Sequence, residues 1–155
     1  MKKLLLDEKN ALKLYPTATT EFKAMLHDTF GEKFFQQKIT DRVKSYGDAC
    51  EVLGISSEII GYDEMNEDEI AYIKLKTIVK ALNEGWKPNW DDTNEAKYYP
   101  WFYMNGPSGI RLNFVSCYYC GSAVGSRLCF RSRELAEWAL KQPKIKKLYK
   151  EFMTL

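Results

Sequence analysis

The sequence predicts an α+β fold: N-terminal helices, then a three-stranded antiparallel β-meander, and a C-terminal helix packed on one face of the sheet. Up to about residue 85, apolar residues recur three and four positions apart, as they do on amphipathic helices. Strand-like segments follow, among them a doubled pattern, G-x-R-L-x-F, at 109–114 and 125–130. Helical spacing then returns until the chain ends. This order of elements is typical of α+β domains.

The length and composition are those of an ordinary globular protein. The chain has 155 residues, of which 45% are hydrophobic and 28% are charged. We predict a single domain over 1–155, with a helical part over about 1–85 and a sheet with its final helix over about 96–155. The net charge of +2 is too small to favour a nucleic-acid partner on charge alone.

Two helices in the first part of the chain are predicted from their end signals. Thr19 or Thr20 caps the first, because a hydroxyl can accept an N–H group of the first turn. Gly31 closes it, since glycine readily adopts the conformation needed at a helix end. Ser45, which an aspartate follows three residues later, caps a shorter helix that ends at Gly54.

The longest helix is predicted to begin after Asp63 or Asn66 and to end at Gly85. Acidic residues crowd its start and lysines lie further along, as the helix dipole favours. The acidic run over 63–69 lacks the spacing of a calcium-binding loop, so we interpret it as a solvated helix start. The apolar stripe of this helix consists of Ala71, Leu75, Ile78 and Leu82, widened by Ile73 and Val79.

Three strands are predicted after this helix. The first covers 98–103, and Pro100 confines it to a sheet edge or a bulge because proline has no N–H group to donate. A turn is predicted at 105–109, and the two copies of the doubled pattern form the second and third strands. In the first copy, strand alternation places Leu112 and Phe114 together on the side that faces the helices.

The final helix is predicted to begin after Ser132, and Pro143 interrupts or restarts it. Its apolar face continues to the end of the chain. Its other face is basic, and such a face is usually solvated, although contact with phosphate or with a membrane is the alternative. The lysines of this face are Lys141, Lys144, Lys146, Lys147 and Lys150.

Several residue blocks resemble an uncharacterised protein family of phages and prophages of gut Bacteroidetes. The blocks lie at 28–31, 39–44, 48–50, 81–86 with Pro88 and Trp90, 98–102, 124–130 and 134–136. They span most of the chain. The resemblance implies a mobile-element setting and no particular chemistry, since the family has no assigned activity. The chain departs from the family at 142–143, where one unbroken final helix is expected, and it is shorter between the first two strands.

A candidate binding face is predicted on the sheet side opposite the helices. Planar arginine and aromatic side chains on a sheet are suited to stacking nucleic-acid bases. The alternative interpretation is a solvated sheet face, on which arginine is common, with Arg127 paired to Asp91, Asp92 or Glu134. The predicted face comprises Arg111, Asn113, Arg127, Arg131, Trp101 and either Tyr99 or Tyr103.

Aromatic residues are concentrated in the second half of the chain. Twelve of the twenty-two lie between Trp86 and Trp138. Together with Trp90 and Trp101, these two tryptophans are predicted to form one buried cluster, in which backbone groups accept the indole N–H bonds. An exposed remnant of the cluster would instead indicate a protein-binding patch.

The cysteines do not form a recognisable metal motif. Cys117 and Cys120 make one C-x-x-C, and Cys50 with Cys129 would have to complete a zinc site. The second C-x-x-C of a structural zinc site is missing, and the single histidine, His27, lies far away in sequence. We therefore predict no metal and no cofactor.

The chain contains no recognisable catalytic motif. The glycine-rich segment 121–126 lacks the lysine of a phosphate-binding loop, and no nucleophile elbow is present. Our leading interpretation is a non-enzymatic phage or prophage accessory protein that binds another macromolecule, most simply a protein. The alternatives are a single-stranded nucleic-acid-binding protein and a small-molecule enzyme. No leader-like or membrane-spanning apolar run occurs, so we expect a protein of the bacterial cytoplasm or of the virion.

Overall fold

The computed structural model describes residues 6–104 and 110–154 and has an α+β architecture. The predicted turn at 105–109 lies outside the described residues. Two single turns of 3-10 helix, at Tyr15–Thr17 and Tyr62–Glu64, occur between the main elements. The main elements are α1 (Glu8–Leu14), α2 (Thr20–Phe30), α3 (Glu32–Phe35), α4 (Ile39–Arg42), α5 (Tyr46–Leu53), α6 (Glu67–Leu82), β1 (Lys97–Tyr103), β2 (Arg111–Tyr118), α7 (Arg133–Lys141) and α8 (Pro143–Met153).

The helix caps predicted from the sequence are confirmed. The Thr19 hydroxyl accepts the backbone N–H of Phe22, and α2 ends at Gly31. The Ser45 hydroxyl accepts the backbone N–H of Asp48 at the start of α5. This helix ends at Gly54, which adopts the left-handed conformation. Of the two residues proposed to start the longest helix, Asn66 caps α6 through a reciprocal capping box. This helix ends at Leu82, slightly earlier than predicted.

Helix α6 forms the centre of the molecule. Leu75, Ile78 and Leu82 are fully buried on it. Helices α5 and α8 both pack against α6, while the sheet rests on α7. The ring of Phe102 on β1 lies 5.4 Å from the ring of Tyr149 on α8, which ties the inner face of the sheet to the same core.

The sheet has two antiparallel strands, so the prediction of three strands is wrong. The second copy of the doubled pattern, at 125–130, meets β1 at one bridge, where Tyr98 and Phe130 exchange backbone hydrogen bonds of 3.0 and 2.7 Å. The next exchange along this edge would need an N–H group from Pro100, which has none. The chain also turns at Gly125, whose φ of 62° is left-handed. Pro100 therefore lies at an edge of the sheet, as predicted. Its missing N–H group explains why the pairing with the third segment does not extend beyond one bridge.

A bulge in β2 reverses the predicted orientation of Phe114. Trp101 pairs with Phe114 and Phe102 pairs with Leu112, which leaves Asn113 as an extra residue. Leu112 packs against the core, whereas Phe114 is 49% exposed. The prediction that both side chains face the helices is wrong, because one extra residue moves the side chains beyond it to the other face.

The C-terminal region contains two helices, because Pro143 restarts the helix as the sequence predicted. Gln142 is extended, with φ −77° and ψ 120°, as the residue before a proline prefers. Ser132 caps α7 by accepting the N–H of Leu135. The apolar stripe of α8 is buried through Ile145 and Tyr149.

Candidate functional site

The side of the sheet that faces away from the helices carries a row of exposed aromatic rings. Trp101 and Tyr103 on β1 are 45% and 41% exposed, and Phe114 on β2 is 49% exposed. The rings adjoin because alternate residues of a strand share one face and because Trp101 is the ladder partner of Phe114. We call this surface the outer sheet face; it comprises Tyr99, Trp101, Tyr103, Arg111, Phe114 and Tyr118.

Stacked aromatic rings pack beside the exposed part of the outer sheet face. Tyr99 is only 3% exposed and stacks on Tyr118 with ring centroids 4.3 Å apart. Trp101 meets Tyr99 edge to face at 6.4 Å and lies nearly parallel to Phe114 at 6.3 Å. Tyr99, a predicted binding residue, is buried, and its ring packs against that of Trp101.

Arg111 completes the outer sheet face at the end of the ladder. It is paired with Tyr103, and its guanidinium carbon lies 4.7 Å from the centre of the Tyr103 ring. A cation at this distance from an aromatic face is attracted to the ring. Arg111 is exposed and is therefore available to a partner while its own position is restrained.

The structure does not bring Arg127 and Arg131 together with Arg111. Asn113 is exposed but is the extra residue of the bulge. Arg127 lies in the loop before the Tyr98 bridge, and its Nη1 atom is 3.4 Å from the Tyr72 hydroxyl instead of a predicted carboxylate. Arg131 forms an ion pair with Glu84. The predicted row of arginines on one face is therefore wrong, because only the first copy of the doubled pattern is a strand.

Beside this face lies a buried lysine that the sequence does not predict. Lys97 is fully buried, with its Nζ atom 3.2 Å from a Glu95 carboxylate oxygen and 3.1 Å from the backbone oxygen of Asp92. Trp90 covers the same ammonium group, 5.4 Å from ring centre to nitrogen. No sequence signal marks a buried lysine, since lysine in a strand is normally exposed. These contacts of Lys97 hold the loop over 86–96 against β1.

Glu95 is the acidic partner that makes this burial tolerable. Partial burial raises the pKa of Glu95, but the N–H of Asn89, the ion pair with Lys97 and the indole of Trp86 outweigh it and hold the pKa below its ordinary value. Glu95 is therefore a carboxylate at neutral pH.

The predicted single cluster of tryptophans is wrong. Trp86 and Trp90 lie in the loop over 86–96, whereas Trp101 is exposed on β1.

The cysteines are free thiols in different parts of the fold. Cys50 and Cys129 are buried, Cys117 is half-buried and Cys120 is exposed. Burial raises the pKa of the Cys129 thiol to about 11, more than the nearby Lys97 lowers it, so it is protonated at neutral pH. Over 6–104 and 110–154, no three His, Cys, Asp or Glu side chains are arranged to hold a metal ion.

Described residues of the helical part line open cavities, two of which are candidate sites. One, of about 770 Å³, is formed by the segment 57–64 with Tyr46 and Lys74. The other, of about 810 Å³, lies between α1, α5 and the end of α6. Lys13, Arg42 and Lys80 line the second cavity together with four carboxylate residues, so no single charge sign dominates it.

Comparisons with known proteins leave the geometry as the main basis for a functional assignment. No family model, curated protein or solved structure matches the chain. No helix within the described ranges is long and apolar enough to cross a membrane. The outer sheet face is the site that we carry forward, because it gathers exposed aromatic side chains and a restrained arginine on one rigid element.

Proposed function

We propose that the protein is a non-enzymatic binding protein whose outer sheet face contacts another protein. The observation that carries this proposal is the adjacency of Trp101, Phe114 and Tyr103, each more than two-fifths exposed, beside Arg111. Tryptophan, tyrosine and arginine are the residues that dominate binding energy at protein interfaces. A group of exposed aromatic rings of this kind is unusual on a surface that has no partner.

The rigidity of the outer sheet face supports the same proposal. The Tyr99–Tyr118 stack packs beside Trp101 on the same face, and the inner side of β1 is tied to α8 through Phe102. A surface that is already ordered loses little conformational entropy when a partner binds. The exposed rings are therefore suited to a partner with a complementary apolar patch, and Arg111 favours a carboxylate beside that patch.

Single-stranded nucleic acid is the second candidate partner, and the nearly parallel rings of Trp101 and Phe114 favour it. Such binding also needs a positive groove along the phosphate backbone. Arg111 is the exposed cation of the outer sheet face, whereas Lys97 is buried and paired. The charge on this face therefore supports a protein partner more than a nucleic acid.

The phage or prophage setting of this proposal rests on the family resemblance described above. The residue blocks that resemble those of phage and prophage proteins support an accessory role in an infected or lysogenic bacterial cell, in the cytoplasm or on the virion. A small-molecule enzyme is the third interpretation, with the two cavities of the helical part as its support. Since Cys129 is protonated at neutral pH, it is a poor nucleophile for such an enzyme.

The experiment compares the wild-type protein with Trp101→Ser/Phe114→Ser and with Ile60→Ser as a matched control. Ile60 is 91% exposed and lies in the segment beside the first cavity, away from the sheet. A partner captured by the wild-type protein is purified, and its dissociation constant for each variant is measured by calorimetry. We expect the double variant to bind at least about 100-fold more weakly, since each lost anchor costs about 2 kcal/mol or more.

Two outcomes would contradict the proposal. One is a purified partner that binds the wild type and the double variant equally well. The other is loss of binding in Ile60→Ser of the same size as in the double variant. Tight binding of single-stranded oligonucleotides that weakens steeply with salt and disappears in the double variant would instead assign the face to nucleic acid.

A further inference from the structure

The solvent side of α8 is a continuous row of lysines. Lys146, Lys147 and Lys150 lie opposite the buried stripe of Ile145 and Tyr149, because successive residues of a helix are about 100° apart. Lys144 lies at the border of the same side, and Lys141 precedes it at the end of α7. All five lysines are exposed. We call this surface the lysine face.

Within α8 itself, the positive charge of the lysine face is nearly uncompensated. Its one carboxylate, Glu151, is 3.3 Å from Lys147, which remains 77% exposed. Lys146 and Lys150 are four residues apart, and Lys147 and Lys150 are three apart, so these like charges are neighbours on the helix. Like charges at these spacings destabilise a helix, and a bound polyanion removes that repulsion.

We propose that the lysine face binds the phosphate backbone of duplex nucleic acid without reading its sequence. From Lys144 to Lys150 the helix rises by about 9 Å. A DNA duplex carries about five phosphate charges over that length, close to the four lysines on this part of α8. Lysine suits this role, since its flexible ammonium contacts phosphate as a point charge.

The packing of α8 favours a nucleic-acid duplex over an anionic membrane and over a single strand. A helix that binds a membrane must place its apolar side in the lipid. Here that side is buried in the protein, with Ile145 at 1% and Tyr149 at 2% exposure. Binding to a single strand relies on exposed aromatic rings. The Phe152 ring instead packs on Tyr72, with centroids 5.5 Å apart.

The acidic start of α6 limits the strength of this binding. The contact between Tyr72 and Phe152 brings that end of α6 close to the C-terminal end of α8. The same acidic start explains how a chain with a net charge of only +2 presents a strongly basic side. We expect binding to be moderate and to require low salt.

The test measures binding of a fluorescent DNA duplex of roughly 20 base pairs by anisotropy, between about 50 and 200 mM salt. With four phosphate contacts, the wild-type association constant is expected to fall about 100-fold over this range. In Lys146→Gln/Lys150→Gln the fall is expected to be only about 10-fold, because two contacts are lost. The matched control is Lys33→Gln/Lys38→Gln, which changes the net charge equally at exposed lysines elsewhere.

The proposal is overturned if the control variant loses as much affinity as Lys146→Gln/Lys150→Gln. It is also overturned if the wild type does not bind the duplex at about 50 mM salt, or if it binds vesicles of anionic phospholipid more tightly than the duplex. The variant Trp101→Ser/Phe114→Ser is expected to bind the duplex like the wild type. Binding at the lysine face and binding at the outer sheet face are therefore measured independently of each other.

Discussion

Tyr98 and Phe130 exchange two backbone hydrogen bonds, and this bridge joins β1 to the segment that leads into α7. The Phe130 side chain is fully buried in the main core, so the bridge is fixed by packing as well as by its hydrogen bonds. Ser132, two residues later, caps α7. The end of the doubled pattern thus serves to place the last two helices against the sheet.

The two phenylalanines of the doubled pattern are expected to differ sharply in their contribution to stability. Phe130→Ala should lower the free energy of unfolding by about 3–5 kcal/mol, because it leaves a cavity in the core. Phe114→Ala, the same substitution in the other copy, should cost about 1 kcal/mol or less, since Phe114 is 49% exposed. Urea unfolding followed by circular dichroism measures both. Equal losses would contradict the placement of these residues.

Removal of the Glu95 charge is expected to destabilise the protein through Lys97. Glu95→Gln should lower the free energy of unfolding by about 1–3 kcal/mol at neutral pH, because it leaves a buried ammonium group without its carboxylate. Glu95→Gln/Lys97→Met should recover part of this loss, since methionine fills a similar volume without charge. A double variant less stable than Glu95→Gln would show that Lys97 contributes mainly through other contacts.

The difference between the wild type and Glu95→Gln is expected to depend on pH. The pKa of Glu95 is lower in the folded protein than the ordinary value of 4.5, so the unfolded chain takes up this proton first as the pH falls. The stabilisation by Glu95 is therefore full above about pH 5 and is lost as the pH falls through the lower folded pKa. Denaturant midpoints at several pH values should converge in acid. A constant difference down to about pH 2 would contradict the ion pair.

Gly47 in the first turn of α5 and Gly54 at its C-terminal cap are expected to respond oppositely to alanine. Gly54 has φ 66°, where a side chain is strained, and Gly54→Ala should cost about 1 kcal/mol. Gly47 lies inside the first turn, where an added Cβ would meet only the Ser45 hydroxyl at 3.8 Å. Gly47→Ala should therefore stabilise the protein by about 0.4–1 kcal/mol. Thermal melts of both variants give the sign directly, and two shifts in the same direction would refute the assignment.

The thiols are expected to be alkylated in an order set by exposure and pKa. Cys120 is exposed and should react first with iodoacetamide at neutral pH. Cys129 should be protected, because it is buried and its pKa is raised to about 11. Mass spectrometry of peptides after timed alkylation gives the order, with urea-unfolded protein as the control in which all four react. Early labelling of Cys129 would contradict the packing of the segment before α7.

The features predicted well from the sequence are those that depend on neighbouring residues. A cap such as Thr19 or Ser45 acts on an N–H group three residues away, so the pattern contains the whole interaction. The break at Pro143 is local for the same reason. The α+β order of elements also follows from spacing within each segment.

The outer sheet face could be predicted only in part, because its shape depends on contacts between distant segments. The extra residue at Asn113 is defined by its pairing with β1, and it alone moves Phe114 from the core to the surface. The repeated pattern around Arg127 resembles a strand, yet Pro100 on the other segment prevents the pairing. Arg111 is exposed, as the sequence predicts, because the strand that carries it does form. The exposure of Trp101 agrees with the predicted binding face and contradicts the predicted buried cluster of tryptophans.

Arg133 on α7 occupies the unpaired edge of β2. The backbone oxygen of Val115 points away from β1, along the free edge of β2, and the Arg133 guanidinium donates a hydrogen bond to it. A free strand edge beside exposed aromatic rings is the usual starting point for amyloid-like growth between molecules. Because a charged side chain occupies the middle of this edge, an incoming strand must first displace it. A single arginine side chain therefore opposes the pairing of β2 with a strand of another molecule.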